Sequence, residues 1–260
     1  GLGFSCLGLG IFISMRIFNI PDITTDGSFT LGGALTAVLI TTGISPWIAL
    51  PVVFCAGALA GMTTGIIHTR FRVQALLAGI LVMTALYSIN LAIMGRSNIP
   101  LIGAPTLFQI TTFSEHVNQV IVLFIFLFAT LLLLSRLLKT DFGLAMRATG
   151  NNEQMIRSLG VNTNRMKIHG LALANGLTAV SGFLMVQLQG YADINMGIGI
   201  VILGLGSVMI GDMFLKLLKK SATFVSLSAV VAGSILFRLL LAFALTIGID
   251  ALYLKLVVAV

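Results

Sequence analysis

The run "SILFRLLLAF" places Arg238 between apolar residues that continue for two turns or more on either side. A guanidinium is costly in hydrocarbon, so such a residue turns towards a cavity or a partner rather than lipid. It could meet the carboxylate of a passing solute. It could also pair with a buried carboxylate such as Asp193, or lie shallower than the run suggests. A second polar group, "NIPDITTDG", brings Asp22, Thr25 and Asp26 together. On their own these read as a loop at headgroup level, with Asp26-Gly27 as a turn. Asn90 sits within an apolar run, where its amide bonds a neighbouring helix or a ligand. Gln187, Gln189 and Asn195 flank a second polar break and could do either.

The motifs carry no catalytic or metal signature. His68, His116 and His169 are scattered, outside any H-E-x-x-H or similar metal spacing, and no G-x-S-x-G occurs. Cys6 and Cys55 lie in apolar runs and read as small hydrophobes, not as a disulfide or metal pair. There is no G-x-x-x-x-G-K-[ST] phosphate loop, so the chain is not expected to bind ATP in that way. No catalytic residue, metal or cofactor is expected.

The elements that must position these residues follow from composition. Of 260 residues, 58% are hydrophobic and 9% charged, with a mean hydropathy of +1.09. A soluble domain carries roughly 25% charged residues, so this is an integral membrane protein. A crossing helix needs about 20 apolar residues. Eight spans are expected: Gly1–Phe18, Ser28–Gly43, Trp47–Thr69, Val73–Gly95, Val120–Leu138, Ile168–Gly190, Gly197–Leu215 and Ala222–Ile249, with a stub of a ninth, Ala251–Val260. The chain begins on Gly1 and stops on Val260 within an apolar run, so both ends are expected to be trimmed. The fold class is all-α and polytopic, one transmembrane domain over 1–260.

Net charge is +7, which in a soluble protein would suggest nucleic acid. Here the positive-inside bias explains it. With the segment 141–167 in the cytoplasm, Arg16, Arg70, Arg72, Arg136, Lys139, Arg147, Arg157, Arg165, Lys167, Lys216, Lys219 and Lys220 fall on that side, leaving Arg96, Arg238 and Lys255 of the 15 elsewhere. Gly1 is then outside. Gly57, Gly61 and Gly65 recur at every fourth position, a ridge that lets another helix backbone come close. The first span, its polar break and the Gly-rich span after it echo the sixth span, a break at Asp193 and the Gly-rich span beyond. The two units would run in opposite directions. That is either an inverted repeat of the transporter kind or a chance likeness of Gly-rich spans.

One segment departs from the oil: "ATGNNEQMIRSLGVNTNRMKIHG", Ala148 to Gly170. Asn151 can cap a helix with Gln154 three residues on. Glu153 favours the positive end, and Arg157 stands one turn later. Met155, Ile156 and Leu159 form a small apolar patch. Gly160 suits the left-handed position after the helix, with Val161 reaching back to Ile156. The spacing predicts a helix over Asn151–Leu159, roughly 12 Å long and parallel to the membrane. So short a helix is marginal alone and needs its own protein, a lipid surface or a cytoplasmic partner to pack on.

This segment, with "LALANGLTAVSG" after it, resembles the cytoplasmic coupling segment of ABC-importer permeases of the branched-chain amino acid and simple-sugar class. "FNIPDITTDGSFTLGGALTA", "LLAGILVMTALYSINLAIMGRSNIPL" and "QGYADINMGIGIVILGLGSVMIGD" resemble the bacterial tryptophan/tyrosine uptake permeases, over almost the whole chain. The resemblance implies a multi-pass permease of the bacterial cytoplasmic (inner) membrane importing a small polar solute, an amino acid, aromatic ones included. It implies an ATPase subunit docked on Asn151, Glu153, Met155, Ile156, Arg157, Leu159 and Gly160. It further implies an extracytoplasmic substrate-binding protein received by the external loop 96–119, a permease homodimer, and the break at Asp22, Thr25 and Asp26 beside the pathway. An ion-coupled secondary transporter would share the broken helices but needs no short docking helix.

Overall fold

The computed structural model describes residues 1–103, 105–108, 115–218 and 223–246. The expected stub Ala251–Val260, the end of the span before it, Lys219, Lys220, Lys255 and parts of the 96–119 loop lie outside the described residues. The chain is an all-α polytopic membrane protein. Helix α1, Leu2–Ile11, runs on into a π-helical segment, Phe12–Ile17, closed by the Phe18 N–H on the Ile13 carbonyl five residues back at 3.2 Å. Asn19 then turns the chain at φ +53°, a left-handed conformation that asparagine tolerates better than most residues.

The other helices are α2 (Thr24–Thr41), α3 (Pro46–Arg70), α4 (Ala75–Met94), α5 (Glu115–Leu137), α6 (Asp141–Asn151), α7 (Glu153–Ser158), α8 (Thr163–Gln189), α9 (Ile200–Leu218) and α10 (Thr223–Thr246). Among the described residues five helices are long and apolar enough to cross a membrane: Pro46–Arg70, Ala75–Met94, His116–Leu137, Thr163–Gln189 and Thr223–Phe243, with Leu2–Ile17 a shorter apolar one. Their burial separates two roles. The apolar window of α8 is 89% buried inside the protein, whereas those of the other four are 28–33% buried. Helix α8 is therefore the central post, packed on α1, α2 and α3. The others turn residues such as Trp47, Leu59, Leu77, Ile125 and Leu133 outwards, as helices solvated by lipid tails do.

Glycines of α3 let that helix come close to the post. A side chain on Gly61 would run into the carbonyl of Leu171, one on Gly57 into Ala179, and one on Gly65 into the backbone of Ile168 at 2.8 Å. These positions share one face of α3, and the two backbones meet there without intervening side chains.

Three expectations need correction. Helix α2 starts at Thr24, not Ser28, so Asp26-Gly27 is helical rather than a turn. The interruption shrinks to residues 18–23, because Asp22 accepts the Thr24 N–H at 2.9 Å and so starts the helix early. Helix α6 occupies a stretch given no helix in advance. Finally, a short ribbon was not anticipated: β1 (Asn98–Pro100) pairs antiparallel with β2 (Tyr191–Asp193), Ile99 opposite Ala192.

Candidate functional site

The polar residues of the spans gather in two places. Asp22 is almost fully buried and joins α1 to α8: its Oδ2 accepts from Asn175 Nδ2 at 2.7 Å, and Asn175 Oδ1 accepts from Ser28 Oγ at 2.7 Å. Asn175 lies twelve residues from the start of α8 and fourteen from its end. Asp22 therefore meets the central helix near its middle rather than at either end. Thr25 Oγ1 donates to the Asp22 carbonyl, and the Thr24 and Thr64 hydroxyls meet at 2.8 Å.

Asp26 makes the second junction. Its carboxylate accepts the N–H of Gly199 at 2.8 Å and of Val201 at 3.0 Å. These are donors at the start of α9, which its own helix leaves unpaired, and a negative charge there also suits the helix dipole. The chain from β2 thus returns along α2, with Gly197 against the Asp26 carbonyl and Thr30. Asn90 Nδ2 donates to the Gly27 carbonyl at 3.2 Å, and its Oδ1 is buried without a hydrogen-bond partner.

Arg238 stands at the opposite end from the cation-rich segment, near the end of α8. Its guanidinium lies 3.7 Å over the ring of Phe4, which stacks on Phe29. Such a cation–π contact stabilises a partly desolvated cation by about 0.5–2 kcal/mol. Asp193 is not its counter-ion: Asp193 accepts from Asn98 and from the Asn195 N–H, and no ion pair to Arg238 is found among the described residues. Arg238 instead lines a cavity of about 310 Å³ with Phe4, Gln189, Gly199, Leu203 and Leu241. Neither Asp22 nor Asp26 lines it; Asp26 reaches its wall through Gly199. Gln187 faces elsewhere, its Oε1 holding the Leu107 N–H of the external loop at 2.9 Å.

At the cation-rich end, α6 and α7 form a bracket. The N-cap of α7 is Asn152, whose side chain accepts the Met155 N–H at 3.0 Å. Asn151 is instead the last residue of α6. The two asparagines are alike in sequence, and the extended backbone of Asn152 (φ −151°, ψ 96°) decides between them. The short helix is Glu153–Ser158, not Asn151–Leu159. Its far end closes with the Gly160 N–H on the Arg157 carbonyl (3.1 Å) and the Val161 N–H on the Ile156 carbonyl (3.3 Å), with Gly160 at φ +85°.

Glu153 fixes this helix to the first turns of α8. Lys167 Nζ donates to it at 2.6 Å, and Thr163 Oγ1 and Arg157 Nη2 each at 3.0 Å. The hydrogen bond from Lys167, with Thr163 and Arg157 beside it, holds the Glu153 carboxyl below its ordinary range against a smaller opposing desolvation. Ile156 turns inwards and is buried, whereas Met155 is 52% and Leu159 71% exposed. The apolar triplet read from the sequence is thus one anchor and two outward groups.

Asn175, Ser28, Phe4 and Lys167 were missed in the sequence. Asn175 could have been found by the rule that singled out Asn90, a polar residue inside a span; the others carry no local signal.

The family described as branched-chain amino acid transport system / permease component matches residues 4–260. The tyrosine transport system permease protein of Clostridioides difficile (strain R20291) is 41% identical over 256 residues, 98% of this chain and 84% of that protein. An uncharacterized protein of Rickettsia prowazekii (strain Madrid E) is 36% identical over 253 residues, 97% of this chain and 89% of that one. No solved structure matches.

Proposed function

The chain belongs to the family of permease components of branched-chain amino acid transport systems, and from that premise we propose that it is the membrane permease of an ATP-driven importer whose cargo is tyrosine or a related amino acid. The similarity to a tyrosine transport permease supports the substrate class. In this reading a separate ATPase supplies the energy, a substrate-binding protein delivers the solute at the 96–119 loop, and two permeases work as a pair in the bacterial cytoplasmic membrane. In this reading α1 with its π-helical extension, α2, α3, α4, α5, α8, α9 and α10 cross that membrane, with Gly1 outside.

The observation that carries the proposal is the bracket. A helix this short is marginal by itself, yet here Glu153 ties it to α8 and Ile156 is buried, while Met155 and Leu159 point away. A partner that grips the outward pair would pull directly on the post that touches α1, α2 and α3. At the other end, the Arg238 cavity offers a guanidinium for the solute carboxylate and apolar walls for its side chain. Its volume is at the small end of ligand pockets, roughly 300–1,000 Å³. Asp22, Thr25, Asp26 and Asn90 serve in this reading as the supports that hold the pathway helices in place.

The test is tyrosine uptake into proteoliposomes holding the chain with its co-encoded ATPase and binding protein. Uptake should require ATP, and Leu159→Asp should abolish both uptake and ATPase co-purification while leaving the permease folded, because Leu159 is exposed. Uptake driven by an ion gradient without ATP would make the chain a secondary transporter. Undiminished ATPase capture by Leu159→Asp would reduce the bracket to a connector.

A further inference from the structure

A second cavity, of about 470 Å³, opens where the first span ends at the cation-rich side. Phe12, Arg16 and Ile17 come from the π-helical segment, Asn19 from the turn after it, and Leu144 and Arg147 from α6. The corner is rigid. A side chain on Gly150 would run into the Ile17 carbonyl, and Asn19 Nδ2 donates to the Gly150 carbonyl at 3.3 Å.

The charges in this cavity do not cancel. Arg16 uses its Nε for Asp212 Oδ2 at 3.2 Å, which leaves the other donors of its fork for another acceptor. Arg147 donates from Nη1 to Thr223 Oγ1 at 3.0 Å. Threonine is neutral, and no carboxylate pairs with Arg147 among the described residues. One positive charge therefore remains beside an apolar wall. Leu144 is 61% exposed on that wall, and Phe12 and Ile17 belong to the apolar span itself.

We propose that this cavity binds the headgroup phosphate of an anionic phospholipid, held between Arg16 and Arg147, with an acyl chain running down over Leu144 and Phe12. Basic pockets between membrane helices recognise such headgroups, and the planar guanidinium fork matches phosphate oxygens in pairs. An acidic side chain of a soluble partner would suit the arginines but not the rest. The wall formed by Phe12, Arg16 and Ile17 is the end of an apolar span, which lipid flanks and a soluble domain does not.

The site can be tested on the full chain, purified in mild detergent and titrated with phosphatidylglycerol or phosphatidylcholine of the same acyl chains under native mass spectrometry. Arg147 is the residue to change, because removing Arg16 would leave Asp212 unpaired. Arg147→Gln should weaken phosphatidylglycerol binding by roughly fivefold or more, the loss expected for one cation at a headgroup. Arg147→Lys should restore most of it, and inorganic phosphate at equal concentration should not displace the lipid. The proposal fails if Arg147→Gln binds phosphatidylglycerol as the unaltered chain does, or if phosphatidylcholine binds equally well. Displacement by inorganic phosphate would mark a plain anion site and also overturn it. So would an Arg147→Gln chain that keeps the lipid but loses its ATPase, since the arginine would then face a protein.

Discussion

Substituting alanine at Gly61 should separate a helix packed backbone to backbone from one that merely contains glycine. In an unobstructed helix Gly→Ala stabilises by roughly 0.5–1 kcal/mol, because glycine loses more freedom on folding. Here the added methyl would run into the Leu171 carbonyl oxygen and lie 2.8 Å from Asn175 Cβ. Backbone of the central post cannot step aside as a side-chain tip can, so the cost belongs at the upper end of the usual overpacking range, about 2–3 kcal/mol. The net loss is then about 1–2.5 kcal/mol, which for a chain of this size lowers the melting temperature by roughly 2–10 °C. The shift also pushes Asn175, and with it the hydrogen bond to Asp22. Thermal melting in detergent, followed by size-exclusion chromatography, reads the effect. A melting temperature that is unchanged or raised would refute the close contact between α3 and α8.

Two further outcomes follow from the polar sites. The Glu153 carboxyl is held below its ordinary value of 4.5, so its tie to Lys167 contributes fully above that pH and is lost as pH falls through the folded value. Hydrogen-exchange protection over residues 152–163, taken relative to the intrinsic rate at each pH, should therefore be unchanged between pH 7 and 6 and be lost only below about pH 4.5. Glu153→Gln should show the loosened pattern throughout, and equal protection in that variant would end the assignment of Glu153 as the anchor of α7. For the Arg238 cavity, Arg238→Gln should raise the KM for tyrosine by roughly tenfold or more, since a hydrogen bond to a charged group is worth about 1.5–3 kcal/mol. Tyramine, which has no carboxylate, should not compete, and an unaltered KM would remove Arg238 from the pathway.

The sequence exposed what depends on local pattern. Apolar runs of membrane length located the long helices, and Gly160 marked the end of α7 because only a residue at ease with positive φ fits there. What depends on distant backbone stayed hidden. Gly143 and Gly150 lie inside the helix at 141–151, where a side chain would run into the backbone of Leu138 or Ile17, a constraint that no local pattern reveals. Asn151 and Asn152 are chemically identical caps, and the choice between them is made by where α6 stops. The ribbon rests on three residues from each strand, too few for an alternating pattern to emerge. Asp26 announced itself as polar, but its donors on α9 lie 173 and 175 residues further along the chain.

That last separation bears on biogenesis. A ribosome adding about 5–20 residues per second needs roughly 9–35 s between Asp26 and its α9 donors. The start of α2 is inserted long before the N–H groups of Gly199 and Val201 exist to receive its carboxylate. Asn175, which binds Asp22, arrives 153 residues late in the same way. The amino-terminal half must therefore be held by the insertion machinery or by water while the second half is made. Assembly of the interior is the final step of synthesis, and a nascent chain stalled after α5 carries two carboxylates whose donors from Asn175, Gly199 and Val201 have not yet been translated.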